Sequence, residues 1–332
     1  MRLLVTGGAG FIGSTFARHA VRSGHDVVVF DALTYAGDRR SLADIEGRYV
    51  FVHADIGDPD AACAALEEHR IDAVVNFAAE SHNSLAVLDP GRFFRTNVMG
   101  TQTLLEAARR TGTPRFHHVS TCEVYGDLAL DSDERFTEAS PYRPRTPYNA
   151  SKAGADHAAR AYLETYGLAV TITNCCNNYG PYQFPEKVIP LFITHALDDL
   201  PLPLYASTAN RREWVHVDDH CRAILAVLER GRVGETYHVG SGFEASIEEI
   251  ADGVLAALGK PASLKTIVPD RPGHDRRYLL DSTKINQELG WLPSVAFEDG
   301  LAATARWYAD HRSWWEPLRN RAPVVETMAW ER

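Results

Sequence analysis

The first half of the chain alternates short, nearly unbroken apolar runs with longer stretches in which apolar residues recur at helical spacing. The runs at 3–6, 26–30, 49–53, 73–77, 116–120 and 169–173 predict strands, and the stretches near 11–23, 59–69, 94–111 and 147–166 predict helices. A strand that is apolar on both sides has to be covered on both faces. Strands of that kind separated by helices predict an α/β fold with a doubly wound parallel sheet. Past about residue 180 the pattern changes. Pro181, Pro185, Pro190, Pro201 and Pro203 interrupt it, which predicts excursions away from the sheet. The stretch 217–230 again has the period of a sheet-covering helix, 236–239 reads as a strand, and 245–258 is amphipathic. Trp307, Trp314 and Trp315 lie on an amphipathic C-terminal pattern expected to cover the core.

The junction between the first strand and the first helix is Gly7-Gly8-Ala9-Gly10-Phe11-Ile12-Gly13. In that position glycines serve a tight turn (Gly7), a close approach of backbone to a pyrophosphate (Gly10) and close helix–strand packing (Gly13). The helix N-terminus offers unpaired N–H groups to phosphates. Asp31 closes the second strand, where a carboxylate accepts bonds from a ribose diol and repels a 2′-phosphate, so NAD is expected over NADP. The sheet is therefore read as Rossmann-type, and the second domain as interleaved with it. Residues 1–180 with about 214–240 would bind NAD, and about 181–213 with 241–330 would form a smaller C-terminal substrate domain.

Tyr148 and Lys152 are spaced to share one helical face. An ammonium near a phenol favours the phenolate, so Lys152 is expected to lower the Tyr148 pKa and make it a base for an alcohol proton. Thr121-Cys122-Glu123 follows another strand and adds a carboxylate. These residues point to carbonyl–alcohol redox with an acid/base group beside it.

Bulk properties narrow the classes. Among 332 residues, 45% hydrophobic and 23% charged, the net charge of −10 argues against a nucleic-acid binder. No apolar run approaches the ~18 residues that span a bilayer. The chain enters a strand at once, without a signal-peptide layout, so no membrane association and a cytoplasmic location are expected. The five cysteines form no framework and the 14 histidines no zinc-type spacing, so no metal is expected.

With these motifs in hand, the chain resembles the extended short-chain dehydrogenase/reductase family, and within it the dTDP-glucose 4,6-dehydratases. The resemblance runs nearly end to end. It is carried by Gly7–Gly13, Asp31-Ala-Leu-Thr-Tyr-Ala-Gly37, Ala78-Ala-Glu-Ser-His82, Ser120-Thr-Cys-Glu-Val-Tyr-Gly126 and Tyr148-Asn-Ala-Ser-Lys152. Further along it rests on Cys176-Asn-Asn-Tyr-Gly-Pro-Tyr182, Pro185-Glu-Lys-Val-Ile-Pro190, Arg212-Glu-Trp-Val-His-Val-Asp-Asp219 and Arg271-Pro-Gly-His-Asp275. The resemblance implies an NAD site built from Gly7, Gly10, Phe11, Ile12, Gly13, Asp31, Thr34, Gly37, Asp55, Ile56, Ala78, Ala79, Ser120, Tyr148 and Lys152. It implies a dTDP- or UDP-sugar site. There Ser81 and His82 would lie near the sugar, and Asn177, Glu186, Lys187 and Val188 on the nucleotide side. Pro203, Leu204 and Tyr205 would approach the base, Arg212 and Arg271 the diphosphate, and His274 a ligand-facing loop. It further implies a homodimer built on the helices near 94–111 and 147–166.

The implied catalytic set is Thr121, Cys122, Glu123, Tyr148 and Lys152. Glu123 would remove the sugar C5 proton once C4 is a ketone. The family places Thr-Asp-Glu where this chain has Thr121-Cys122-Glu123, and His-Val-Asp-Arg-Ser where it has His82-Asn83-Ser84-Leu85-Ala86. The Thr-Cys-Glu motif also resembles the UDP-N-acetylglucosamine 5,6-dehydratase of tunicamycin biosynthesis. On the residues alone, 4,6-dehydration, 5,6-dehydration with hydride returned to C4, a 4-epimerase-like outcome and a silent NAD-binding protein stay open. Cys175-Cys176 is read as packing, and His216 and His220 as structural.

Overall fold

The computed structural model describes residues 1–270 and 272–321. Among the described residues, twelve strands form three sheets. They are β1 Arg2–Thr6, β2 Asp26–Asp31, β3 Tyr49–His53, β4 Ala73–Asn76, β5 Arg115–Thr121, β6 Val170–Cys175, β7 Asn177–Tyr179, β8 Leu202–Tyr205, β9 Arg211–His216, β10 Thr236–Val239, β11 Glu244–Ser246 and β12 Lys265–Val268. The main sheet is parallel throughout, in the order β10-β6-β5-β4-β1-β2-β3. Strand β1 lies between β2 and β4, so the chain leaves it in one direction and returns on its other side. That reversal opens a crevice at the carboxyl ends of the strands, where ligands bind in such sheets.

The apolar runs are explained by burial on two faces. Leu3 and Val5 pack with Phe16, Ala20, Ile224 and Leu228, from the helices Phe11–Arg22 and Val217–Arg230. Leu4, between them, points the other way into a cluster with Leu66, Leu104, Leu105 and Ala159. Alternating neighbours therefore serve opposite layers, and both layers are apolar here.

The expected helix near 94–111 begins earlier, at Pro90, and is not uniform. An α turn Pro90–Phe93 leads into a π-helical stretch Phe94–Gly100 and then α-helix Thr101–Thr111. The widened turns bury Asn97, whose amide bonds Glu80 backbone on one side and the Ser151 hydroxyl at 2.8 Å on the other. The amphipathic stretch expected over 245–258 becomes a helix only at Ile247. Ser246 and Glu249 form a capping box there, and Glu244–Ser246 pairs with β9 as β11.

The second lobe is built from β7, β9 and β11, the parallel pair β8 and β12, and the helices Val188–Leu197, Ile247–Leu258 and Phe297–Asp310. Its core contains Phe192, Trp214, Ile250, Tyr308, Trp314 and Trp315, with Trp307 packed against it. Among the described residues no helix is long and apolar enough to cross a membrane.

Candidate active site

The carboxyl ends of the central strands open into a cleft of about 830 Å³ that runs on into the second lobe. At one end, Gly7 adopts a positive φ of 64°, and a Cβ there would sit 2.8 Å from the Ala78 backbone. A Cβ at Gly13 would fall 2.2 Å from the Gly7 carbonyl oxygen. Gly10 is the N-cap of the helix Phe11–Arg22, and no side chain caps that end. Its first-turn N–H groups are thus left for a ligand, with Phe11 and Ile12 in the cleft wall. The Asp31 carboxylate accepts the backbone N–H of Ala9 at 2.9 Å and of Leu33 at 2.7 Å. Two of its roughly four acceptor positions remain for a ribose diol. Thr34, Gly37, Asp55, Ile56, Ala78, Ala79 and Ser120 line the same end. An uncapped helix end beside a buried carboxylate at the strand reversal fits a dinucleotide. We expect Gly13→Ala to purify without bound dinucleotide and to melt lower than the parent; equal cofactor content and melting temperature would count against this packing.

The floor comes from β5 and the helix Pro147–Tyr166. Thr121 ends β5 and caps the turn Cys122–Tyr125, its hydroxyl accepting the Glu123 N–H at 3.3 Å. In a 3₁₀ turn such as this one adjacent side chains diverge by ~120°. Glu123 consequently lines the cleft, whereas Cys122 is fully buried and does not. Cys122 belongs to a buried cluster with Val124, Tyr125, Phe136, Val215 and Tyr278, of which Tyr278 also borders the cleft. Burial, with the Glu123 charge adding to it, pushes its pKa well above the usual thiol range. This placement departs from the expectation that Cys122 joins the reacting groups.

Thr146 fixes the start of the next helix by accepting the Asn149 N–H at 3.2 Å, and Pro147 opens its first turn. Tyr148 and Lys152 then share one face and both line the cleft. Lys152 Nζ donates to the Val119 carbonyl at 2.8 Å, and burial lowers its pKa. The Tyr148 pKa is raised well above its usual value, first by burial and then by the Glu123 charge, with the Thr121 hydroxyl opposing. The expected lowering by Lys152 is therefore not found. The ammonium is directed at a backbone carbonyl, and a buried phenol beside a carboxylate keeps its proton.

One helical turn beyond Lys152, Asp156 is fully buried and accepts the hydroxyls of Ser120 at 2.9 Å and Tyr142 at 2.8 Å. Burial alone would raise its pKa, but His118, Lys152 and Ser120 together hold it below the ordinary value. It supplies a buried counter-charge to Lys152. The i, i+4 spacing from Lys152 was the signal available in the sequence.

On the second lobe, Pro203 and Tyr205 line the cleft while Leu204 turns into the core, as strand alternation requires. Arg212 is buried and spends three of its five N–H groups on the carbonyls of Arg211, Asp275 and Arg276. It also lies over the Tyr278 ring, with the guanidinium 4.8 Å from the centroid. Asn177 accepts the Tyr278 hydroxyl at 2.6 Å. Glu186, expected on the nucleotide side, lines the cleft but binds the Tyr35 hydroxyl at 2.8 Å and lies 3.5 Å from His82 Nε2. It straps the loops after β2 and β4 to the second lobe. Lys187 Nζ reinforces the strap through the Ser81 carbonyl at 2.7 Å. Val188 and His274 also line the cleft, the latter with its ring 5.2 Å from that of Tyr205. Arg271 lies outside the described residues.

Tyr35 and Tyr278 are cleft residues that sequence reasoning did not assign, and Asn83, in the His82–Ala86 run that departs from the family pattern, lines the cleft as well. Tyr35 lay inside a quoted motif, while Tyr278 had no spacing signal. Cys175 and Cys176 are buried at the cleft edge, the former pushed up to about 12 by burial. His216 caps the helix Val217–Arg230 and His220 bonds Asn178 at 2.8 Å, both away from the cleft lining. Among the described residues no cluster of three His, Cys, Asp or Glu side chains is arranged for a metal.

Residues 4–304 match the family described as GDP-mannose 4,6 dehydratase. The chain belongs to that family. Among similar proteins is the dTDP-glucose 4,6-dehydratase of Streptomyces niveus, 50% identical over 96% of each chain. Another is the dTDP-glucose 4,6-dehydratase of Mycobacterium tuberculosis H37Rv, 50% identical over 96% of this chain and 97% of the relative. Among solved structures, DesIV of Streptomyces venezuelae, a dTDP-glucose 4,6-dehydratase crystallised with NAD and dTDP, is 53% identical with a TM-score of 0.92. The match covers 96% of this chain and all of that one. The UDP-glucose 4-epimerase of Thermus thermophilus in complex with NAD is 33% identical, with a TM-score of 0.87 over 94% of this chain and 100% of that one. Both neighbours share the extended short-chain dehydrogenase/reductase fold.

Proposed function

We propose that this chain is an NAD-dependent nucleoside-diphosphate-sugar dehydratase of the dTDP-glucose 4,6-dehydratase type. The observation that carries the reading is a single cleft in which Tyr148, Lys152 and the Glu123 carboxylate share a floor between a dinucleotide end and a nucleotide-sugar lobe. The half-identity over nearly the full length to dTDP-glucose 4,6-dehydratases supports it.

Bound NAD would supply the hydride acceptor for C4 and the hydride donor for C6. The protein's residues manage the protons. Tyr148, in the minor phenolate fraction that its raised pKa leaves, takes the C4 hydroxyl proton and later releases it to solvent, and Lys152, one turn away, would hold the nicotinamide ribose. The C4 ketone acidifies C5–H, and Glu123 removes that proton. C5 and C6 are neighbours, and Cys122 is fully buried and does not line the cleft. The newly protonated Glu123 is then the acid that hands its proton to the C6 oxygen, which leaves as water. Solvent reprotonates Glu123, which returns a proton to C5 as C6 is reduced.

Incubation with dTDP-glucose in deuterated water tests this. We expect loss of one water, one solvent deuterium at C5, and a ketone that takes up label from borodeuteride. A product without a ketone would instead be the 5,6-ene, an unchanged mass would be epimerisation or no reaction, and each refutes the reading.

The same reading carries three further proposals. The NAD domain comprises 1–180 with about 214–240, and the nucleotide-sugar domain about 181–213 and 241–330. Two copies associate through the helices near 94–111 and 147–166, where Phe94, Met99 and Tyr166 are exposed. The enzyme works in the cytoplasm, in keeping with five unpaired thiols.

A further inference from the structure

Asn83 opens the short helix Asn83–Leu88 after β4 and lines the cleft. Its amide is used on both sides. Nδ2 donates to Glu123 Oε2 at 3.2 Å, and Oδ1 accepts the Thr146 hydroxyl at 3.3 Å. A carboxylate only accepts, so the amide has to present its nitrogen to Glu123. Thr146 in turn caps the helix that carries Tyr148 and Lys152. One chain of hydrogen bonds thus runs from the carboxylate to the frame of the redox pair. Among the described residues no other side chain hydrogen-bonds the Glu123 carboxylate.

We infer that Asn83 is a positioning residue for Glu123 in the elimination step. The inference rests on the dehydratase reading above. With Oε2 held by Asn83, Oε1 is the oxygen left to meet the C5 proton, at an orientation set by the helix cap. Without the amide, a glutamate side chain turning about its own bonds spends most of its time misaligned, and a displacement of ~1 Å costs about 100-fold in such a step. The amide gives the elimination carboxylate a fixed partner that the buried thiol does not.

The test uses two variants in the full-length protein with dTDP-glucose. Asn83→Asp keeps the size and the acceptor for Thr146 but removes the N–H donor, and Asn83→Leu removes both polar ends. In each we expect kcat to fall about 10- to 100-fold with KM within about 3-fold. We also expect quenched reactions to contain a 4-keto sugar that still carries its C6 hydroxyl, counted by borodeuteride labelling and mass. That accumulation arises only if C4 oxidation survives while C5 proton removal slows. Unchanged kcat in both variants overturns the inference. So does a loss of kcat without the undehydrated ketone, because a general structural loss slows oxidation equally. A parent protein that forms no water-loss product would overturn the reading and the inference together, and shows itself before any variant is measured.

Discussion

Tyr148→Phe is expected to lose about 10²- to 10⁴-fold in kcat while retaining bound NAD and substrate affinity. The phenolate oxygen is the group placed to take the C4 proton, and removing that oxygen leaves the ring packed against Phe93, 6.3 Å between centroids. The cofactor end of the cleft is built from the β1 turn, Asp31 and the loop after β4, none of which contacts that hydroxyl by hydrogen bond. Steady-state turnover and the nicotinamide content of purified protein check both halves. Turnover within about 3-fold of the parent would remove Tyr148 from the mechanism. Because burial and Glu123 hold the phenol proton tightly here, the rate is also expected to climb toward alkaline pH in the parent and to lose that climb in Tyr148→Phe.

The second large effect separates two adjacent residues. Glu123→Gln is expected to lose about 10²- to 10⁴-fold in water elimination, since it removes the group that both takes the C5 proton and passes it on. Cys122→Ala is expected to stay within about 3-fold of the parent in turnover and to lose about 1 kcal/mol of stability, the range for trimming a small buried side chain. The thiol touches an apolar cluster, not the cleft. Turnover by both variants, with melting curves, checks the pair. A collapse of dehydration in Cys122→Ala at an unchanged melting temperature would restore the thiol as the acid.

Much of the architecture is legible in the spacing of apolar residues alone. The runs at 3–6 and 26–30 are apolar at almost every position because neighbours such as Leu3 and Leu4 serve opposite layers. The helix over 147–166 is legible because Thr146-Pro147 starts it and Gly167, left-handed at its C-cap, ends it. The second lobe is legible only in part. Its strands β7 and β11 are three residues long, and β8 carries a proline. Segments that short have no measurable period, and they pair with strands far away in sequence.

The site divides along the same line. The turn at Gly7–Gly13, the carboxylate at Asp31 and the shared face of Tyr148 and Lys152 were readable from residue order, because each follows from a local strand–turn–helix pattern or from helical spacing. The tertiary structure alone decided that Cys122 turns into the core beside Val215 and Tyr278, that Glu186 serves a strap with Tyr35 and His82, and that Asn83 meets Glu123 across 40 positions. The reason is physical. Backbone periodicity orders neighbours along one element, but which side of a turn faces solvent and which distant side chain completes a hydrogen bond depend on how separate elements pack. That packing is a property of the whole chain.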